Sequence, residues 1–192
     1  MHPIAISVLT ICGVDELPAQ TARRVTHVLS LLDPGWPEVA AFDAYDQHHR
    51  KIMYFHDIIE PQDGRKPPQI EHVEEIVRFG AELAASRDQR SDGHLLVHCQ
   101  MGISRSTAAM LTLLAQTYSQ ETEDRLFERL RQIRPQAWPN SRMIGFADDL
   151  LNRNGRLVSA LGRHYGFQLK TQPKFTEWMT NIGRTRELAM AT

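Results

Sequence analysis

The sequence predicts an α/β fold in which a central, mostly parallel sheet of about four to five strands is flanked by helices. Short β-branched runs alternate with longer segments whose apolar residues repeat at helical spacing. One apolar run, residues 95–97, leads through a glycine-containing loop into a second apolar segment at 107–115. A buried strand, a loop and a buried helix in succession are typical of parallel sheets.

The first three strands are predicted at residues 4–11, 25–31 and 50–55, where apolar and β-branched residues cluster. Asp15 or Thr21 is a candidate cap for a short helix that ends near Arg24. Asp33-Pro34-Gly35 ends the second strand, and residues 36–47 are expected to form a loop with about one helical turn.

Four more helices are predicted besides the short one that ends near Arg24 and the one at 107–115. Pro67-Pro68 opens the first, which runs to about Ser86. Thr122 is a candidate cap for the second, and Asn140 or Ser141 for the third. A short helix is expected at 156–165, and residues 166–192 show no clear period. We therefore expect a domain at residues 1–165 and a C-terminal extension at 166–192.

The composition is that of an ordinary globular chain, with 42% apolar and 23% charged residues among 192. The formal net charge of −1 gives no reason to expect a nucleic-acid or membrane partner. The apolar start of the chain lacks a basic region and a clear cleavage site, so it is read as a strand rather than a signal peptide. Two cysteines are too few for a disulfide framework, and a cytoplasmic location is expected.

The segment from His98 to Ser106, His-Cys-Gln-Met-Gly-Ile-Ser-Arg-Ser, carries the strongest chemical signal. It lies between the C-terminal end of a strand and the N-terminal end of a helix, where backbone N–H groups converge on anions. Five residues separate Cys99 from Arg105, enough for a loop around one tetrahedral anion. The predicted phosphate-binding residues are Gln100, Met101, Gly102, Ile103, Ser104 and Arg105.

Each residue type in this loop has a physical role. Gly102 supplies a backbone conformation that a Cβ resists, and the Arg105 guanidinium can hold two phosphate oxygens side by side. The same positive field favours the thiolate form of Cys99, a nucleophile aimed at phosphorus. Ser106 can donate a hydrogen bond to the sulfur and help it to leave in a second step.

The pattern His98-Cys99-x5-Arg105-Ser106 resembles the signature loop of the cysteine-dependent protein tyrosine phosphatases, especially their compact dual-specificity branch. The resemblance extends more loosely over residues 4–152 by the order of elements. It implies the phosphatase-type α/β fold, a phosphocysteine intermediate on Cys99, and hydrolysis of phosphotyrosine or also phosphoserine and phosphothreonine in proteins. It implies no metal and no cofactor.

The resemblance also implies an aspartic acid that protonates the leaving group. Phe55-His56-Asp57, followed by Pro67-Pro68, looks like the family's Phe-x-Asp…Pro-Pro pattern, which favours Asp57. Asp57 precedes Cys99 by 42 residues, a longer separation than the family leads us to expect. The intervening loop holds two rival acids, Asp63 and Glu60.

Other residues have simpler interpretations. Cys12 is expected to be a small buried core residue, with a reversible disulfide to Cys99 as the alternative. His98 is expected to orient the loop through a ring hydrogen bond, as the family implies. Asn140 is interpreted as a helix cap that can also support the loop, and the pair Arg184 and Arg186 as part of a solvated surface.

A catalytically weak phosphopeptide-binding module on the same scaffold remains the alternative function. Such modules usually lack the cysteine, whereas Cys99, Arg105 and Ser106 are all present here. Sulfur transfer and arsenate reduction are less favoured, since the latter relies on further cysteines and only Cys12 is available. The loop positions 100–104 hold no lysine or arginine, which argues against inositol polyphosphate substrates.

Overall fold

A computed structural model of the chain describes residues 8–86 and 93–192. Its sheet has four parallel strands in the order β1-β4-β2-β3. The strands are β1 (Val8–Cys12), β2 (His27–Leu32), β3 (His49–Tyr54) and β4 (His94–His98). The predicted α/β class with a parallel central sheet is confirmed. Positions 4–7 of the first predicted strand lie outside the described residues.

The α-helices of the described residues all follow β3 in the chain. They are α1 (Ile70–Ala85), α2 (Arg105–Thr117), α3 (Glu123–Ile133), α4 (Ser141–Leu150), α5 (Arg156–Thr171), α6 (Lys174–Asn181) and α7 (Thr185–Ala189). Two 3-10 helices, Val14–Arg23 and Ala40–Ala44, connect the first three strands. None of the helices in the described ranges is long and apolar enough to span a membrane.

The two faces of the sheet are buried in different cores, because successive side chains of a strand point to opposite sides. In β2, Leu29 and Leu31 join the larger core formed with the α-helices. Val28 and Leu32 face the smaller core, which the 3-10 helices cover with Leu17 and other apolar residues. Both faces are therefore shielded, as parallel strands require.

Helix α2 runs through the centre of the molecule. Every residue of α2 from Arg105 to Ala115 is buried, so the signature loop between β4 and α2 is attached to two buried elements. The parallel β2, β3 and β4 all end at the same edge of the sheet as this loop. The segments that follow them are thereby brought together at the N-terminus of α2.

The caps differ in part from the sequence expectation. The first 3-10 helix begins after Gly13, whose N–H donates to Glu16 Oε2 at 2.6 Å, so Asp15 and Thr21 lie inside the helix and do not cap it. Thr122 occupies the N-cap position of α3 without a capping side-chain hydrogen bond. Asn140 does cap α4, with its Oδ1 accepting from Met143 N at 3.2 Å.

The C-terminal residues pack into the main core. The boundary expected after residue 165 falls inside α5, which runs without interruption to Thr171. Phe175 and Met179 of α6 are 1% exposed and belong to the larger core. Trp138 stacks on Tyr165 and on Phe175, with ring centroids 4.3 and 5.0 Å apart. Residues after 165 are thus continuous with α5 and pack into the same core as the residues before it.

Candidate active site

The backbone of the signature loop is turned so that its carbonyl groups face outward. The Gln100 carbonyl accepts from Val14 N at 2.9 Å, and the Ile103 carbonyl accepts from Trp138 N at 2.8 Å. Arg134 donates to the Met101 and Gly102 carbonyls at 3.1 and 2.9 Å. No amide N–H of residues 100–104 donates to an acceptor within the described residues. The loop therefore offers a set of consecutive free amides, the arrangement of an anion-binding nest.

Arg134 itself is fixed by Glu16. The guanidinium makes two hydrogen bonds of 2.8 Å to the Glu16 carboxylate while holding the loop carbonyls. This contact with Arg134 lowers the pKa of Glu16 below its ordinary value, despite the opposing effect of partial burial. The first 3-10 helix and the residues after α3 thereby clamp the outer side of the loop.

Gly102 is required by the tight approach of this loop to β1. Its φ of 68° lies in the left-handed region that favours glycine. An ideal Cβ at this position would lie 2.4 Å from the carbonyl carbon of Cys12. Both observations agree with the role that the sequence predicted for Gly102.

Arg105 is held beneath the loop with a side chain that is 1% exposed. Its NH1 group donates to Asp33 Oδ1 at 2.7 Å and to the Phe55 carbonyl, and its NH2 group donates to Gln100 Oε1 at 2.6 Å. Its Nε is buried without a partner in the described residues. The NH1 group is thus anchored by the residues directly after β2 and β3, while Nε is left without an acceptor in the described residues.

Cys99 is 2% exposed at the base of the loop, and its Sγ lies 3.2 Å from Ser106 Oγ. This distance is within the sulfur hydrogen-bonding range, so the hydroxyl that opens α2 contacts the thiol directly. The preceding His98 hydrogen bonds through Nε2 to Ser30 Oγ on the neighbouring strand, at 2.6 Å. Burial lowers the pKa of His98 to about 3, so the ring is neutral.

Cys12 is 1% exposed and lies in the smaller core, as the sequence predicted. Burial, reinforced by the Glu16 charge, raises the pKa of its thiol to about 12. Both cysteines are free thiols, and the redox pairing of Cys12 with Cys99 stays a prediction.

Asp57 follows β3 and lines the same cavity as Cys99. Its Oδ1 accepts from Ser104 Oγ at 2.8 Å, from Asn140 Nδ2 at 2.9 Å and from Arg184 NH2. Burial by itself would raise the pKa of Asp57, but the charges of Arg184 and Arg105 outweigh it and lower the pKa below its ordinary value.

The rival acids lie elsewhere. Asp63 is exposed in the loop after β3, and it does not line this cavity. Glu60 is 51% exposed and pairs with Arg186 at 2.7 Å. Asn140 both caps α4 and holds Asp57, so the two roles considered for it coexist.

The cavity has a volume of about 110 Å³, and the C-terminal residues form one of its walls. This wall consists of Trp178, Met179, Ile182 and Arg184, and residues of the signature loop line the same cavity. The interpretation of Arg184 as part of a solvated surface is wrong, since its side chain is 3% exposed. Arg186 is 68% exposed, as expected.

Sequence reasoning did not identify Asp33 or the C-terminal wall as parts of the site. The only available signal for Asp33 was its position directly after a predicted strand of a parallel sheet. No signal of this kind exists for residues 178–184, which lie some 80 residues beyond the loop. Within the described ranges, no group of three or more histidine, cysteine or acidic side chains is arranged to hold a metal ion.

Comparisons with known proteins agree with this geometry. Residues 38–146 match the family model of the protein-tyrosine phosphatases. Human protein phosphatase Slingshot homolog 3 is 30% identical over 145 residues, covering 74% of this chain and 18% of that protein. MAP kinase phosphatase with leucine-rich repeats protein 3 of Dictyostelium discoideum is 30% identical over 148 residues, covering 76% and 15%. The chain spans less than a fifth of the length of these two relatives.

Solved structures show the same fold. The Yvh1 phosphatase domain from Chaetomium thermophilum superimposes with a TM-score of 0.53 at 25% identity, over 78% of this chain and 93% of that domain. Human DUSP28 superimposes with a TM-score of 0.54 at 18% identity, over 78% of this chain and 97% of that chain. The family match covers more than half of the 192 residues. The chain therefore belongs to the protein-tyrosine phosphatase family.

Proposed function

We propose that the protein hydrolyses phosphotyrosine in protein substrates through a phosphocysteine intermediate on Cys99, without a metal ion. The observation that carries this proposal is the set of free loop amides at residues 100–104, which follow the buried Cys99 directly, and most of these residues line the same cavity with it. A phosphate dianion bound there would accept from these amides and from the unpartnered Nε of Arg105. Such a phosphate would lie directly above Cys99 Sγ.

In the first step, the Cys99 thiolate attacks phosphorus, and an S–P bond forms as the P–O bond to the tyrosyl oxygen breaks. Asp57 protonates the departing oxygen, so the leaving group departs as a neutral phenol. The loop amides and Arg105 stabilise the charge on the equatorial phosphate oxygens, as positioned donors do in other phosphoryl transfers.

In the second step, a water molecule attacks the phosphocysteine and gives its proton to the Asp57 carboxylate. An O–P bond forms as the S–P bond breaks, releasing inorganic phosphate and the Cys99 thiolate. Ser106 is suited to stabilise this leaving thiolate, because its hydroxyl lies 3.2 Å from the sulfur. The enzyme returns to its starting state with Asp57 protonated again.

The assignment of the acid to Asp57 rests on location. Asp57 lines the cavity with Cys99, whereas Asp63 is exposed outside it. The Asp57 side chain is 28% exposed, which leaves it accessible to a bound substrate.

The apolar wall supports phosphotyrosine over phosphoserine and phosphothreonine as the preferred substrate. Met101 and Ile182 are 57% and 48% exposed, and with Trp178 they present apolar surface at the cavity. An aromatic ring would gain from covering this surface, whereas a serine ester is too short to reach it. The preference is for a protein-bound aryl phosphate, and the thiolate nucleophile favours a reducing, cytoplasmic location.

One observation favours a phosphopeptide-binding module of weak activity as the second candidate. Asp57 is ion-paired with Arg184, so its ionised form is stabilised and its protonated form is scarce near neutral pH. Binding by the loop amides does not require this proton, whereas turnover does. The two functions therefore differ in whether the bound phosphate ester is hydrolysed.

The test compares turnover and binding in the presence of a chelator. A phosphotyrosine peptide and its phosphoserine counterpart of the same sequence are incubated with wild-type protein, Cys99→Ser, Asp57→Asn and Asp63→Asn. We expect wild-type turnover with a preference for phosphotyrosine, and a Cys99→Ser protein that binds the phosphotyrosine peptide without cleaving it. Asp57→Asn should slow substrates with poor leaving groups by about 10²–10⁴-fold, and Asp63→Asn should match wild type.

Undiminished turnover by Cys99→Ser, or turnover that the chelator abolishes, contradicts the proposed mechanism. Binding without any turnover by reduced wild-type protein supports the binding module instead. A loss confined to Asp63→Asn contradicts the choice of Asp57.

A further inference from the structure

The most unexpected contact in the site joins its acidic side chain to the C-terminal segment. Arg184 lies between α6 and α7, and its guanidinium reaches Asp57, three residues after the end of β3. NH2 donates to the Asp57 carbonyl at 3.0 Å and to Asp57 Oδ1, while NH1 donates to Ser104 Oγ at 2.8 Å. A single side chain thus bridges the acid and the signature loop.

Arg184 is itself held in one orientation by a buried carboxylate. Glu187 is fully buried, and it accepts from Trp138 Nε1 at 2.7 Å and from Ser141 N at 2.8 Å. It also accepts from Arg184 NH1 at 3.3 Å. The backbone adds a further constraint, because Arg184 N donates to the Met179 carbonyl at 2.8 Å. The guanidinium is therefore placed before any substrate arrives, with a carboxylate on either side to offset its charge.

The hydrogen bonds to Asp57 are unequally divided between its two oxygens. Oδ1 accepts from Ser104, Asn140 and Arg184. Oδ2 takes no hydrogen bond from the described residues. An oxygen that already accepts three donors has no room for a proton, so a proton on this carboxyl group is confined to Oδ2.

We propose that Arg184 is a positioning residue for the general acid: it holds Oδ1 of Asp57 so that Oδ2 carries the transferable proton at the cavity. The proposal rests on the proposed function, since it takes Asp57 as the acid. It makes the C-terminal segment a working part of the active site, although it lies beyond the residues 38–146 that match the family model.

The Arg184 charge also sets the pH range in which the acid is protonated. The groups that face Asp57 or are electrostatically coupled to it through this network are Arg105 of α2, Arg184, Glu187 of α7, Cys99 of the loop and Tyr165 of α5. The two arginines outweigh the acidic neighbours and burial, so the pKa of Asp57 is low. A general acid works only when protonated, so kcat/KM should fall as the pH rises through this pKa. Removing Arg184 should move that fall to higher pH.

The experiment compares Arg184→Met with Arg186→Met, which removes an exposed guanidinium two residues along the same segment. Arg184→Lys is the conservative variant, because lysine keeps the positive charge but cannot bridge Asp57 and Ser104 as the guanidinium does. The first readout is a ¹³C NMR titration of the Asp57 carboxyl carbon in the Cys99→Ser background, with the signal assigned by Asp57→Asn. The second is the pH profile of kcat/KM for aryl phosphates with good and poor leaving groups.

For Arg184→Met we expect the Asp57 pKa to rise by about 1–3 units and the alkaline limb of kcat/KM to move by the same amount. At pH values where the acid is protonated, kcat for a poor leaving group should still fall at least about 10-fold, because Oδ2 is no longer aimed. A good leaving group, which needs little protonation, should be affected much less. Arg184→Lys should recover most of the pKa and only part of the kcat, and Arg186→Met should match wild type in both readouts.

The proposal is overturned if the Asp57 titration in Arg184→Met matches that in Arg186→Met. It is also overturned if Arg184→Met is faster than wild type for poor leaving groups at every pH, since Arg184 would then inhibit the acid rather than position it. Phosphate binding by the Arg184 variants shows that the loop is folded, and Arg184→Lys tests the same point in a milder form. Failure of the proposed function would appear separately, as absent turnover in wild type, while the titration still decides whether Arg184 controls Asp57.

Discussion

Glu187 provides a direct test of how the C-terminal segment is held against the rest of the structure. Its carboxylate is fully buried and accepts from Trp138 Nε1, from Ser141 N at the start of α4, and from Arg184. Glutamine has nearly the same shape but only one acceptor oxygen. Replacing Glu187 by glutamine therefore turns one accepting atom into a donor that faces other donors.

The cost follows from the two short hydrogen bonds, at 2.7 and 2.8 Å. Bonds to a charged group contribute about 1.5–3 kcal/mol each, and a buried donor that loses its acceptor adds a desolvation penalty. Because the glutamine oxygen can keep only one of the two bonds, we expect Glu187→Gln to lower the free energy of unfolding by about 2–4 kcal/mol.

The assay is urea unfolding at pH 7, followed by tryptophan fluorescence. The matched control is Glu60→Gln, which removes a carboxylate from a 51% exposed pair with Arg186 and should cost about 0–1 kcal/mol. An unchanged m-value in both variants would show that the denatured state is the same. A loss below about 1 kcal/mol for Glu187→Gln, or equal losses in the two variants, would refute the reasoning that Glu187 fastens this segment.

Three further outcomes are expected. Gly102→Ala should weaken phosphate binding, measured by calorimetry, at least about 10-fold. The control is Gly64→Ala, where φ is 70° and no atom lies within 4 Å of an added Cβ, and it should leave binding unchanged. Equal effects would contradict the role of the close approach of Gly102 to β1. Arg105→Lys should lower kcat/KM by about 10²–10³-fold in steady-state assays, and a normal value would contradict the role of the guanidinium in binding phosphate. Burial lowers the pKa of His98 to about 3 and of His164 to about 4. Because the unfolded chain titrates near 6.5 and takes up protons first, stability should fall by about 2 kcal/mol per histidine from pH 7 to pH 5; a flat urea-unfolding profile would contradict this.

The local sequence was sufficient to predict the strands of the sheet and the signature loop. The apolar run before His98 and the buried helix after Ser106 are contiguous in the chain, so their pattern predicts β4, the loop and α2 together. Gly102 could be assigned a special backbone conformation because its position within a short anion loop restricts it. The same reasoning predicted the Asn140 cap, since a cap and its helix are neighbours.

Distant contacts were predicted poorly. Asp33 was predicted only to end the second strand, although its Oδ1 accepts a hydrogen bond from Arg105 NH1 at 2.7 Å. Arg184 was assigned with Arg186 to a solvated surface, yet its side chain is buried against Asp57. Ion pairs between residues 127 positions apart leave no spacing that a single sequence reveals.

The sequence by itself determined the α/β class and the nine-residue anion loop with its cysteine and arginine, because local periodicity and short-range spacing specify these features. Only the tertiary structure decided which acid lies in the cavity and which residues form its far wall. Asp57 and Asp63 stand six positions apart in the chain, and sequence reasoning favoured Asp57 without excluding Asp63. The packing of α6 and α7 against the loop distinguishes them, since it places Arg184 on Asp57 and leaves Asp63 in solvent. Long-range packing creates that difference, and no local pattern encodes it.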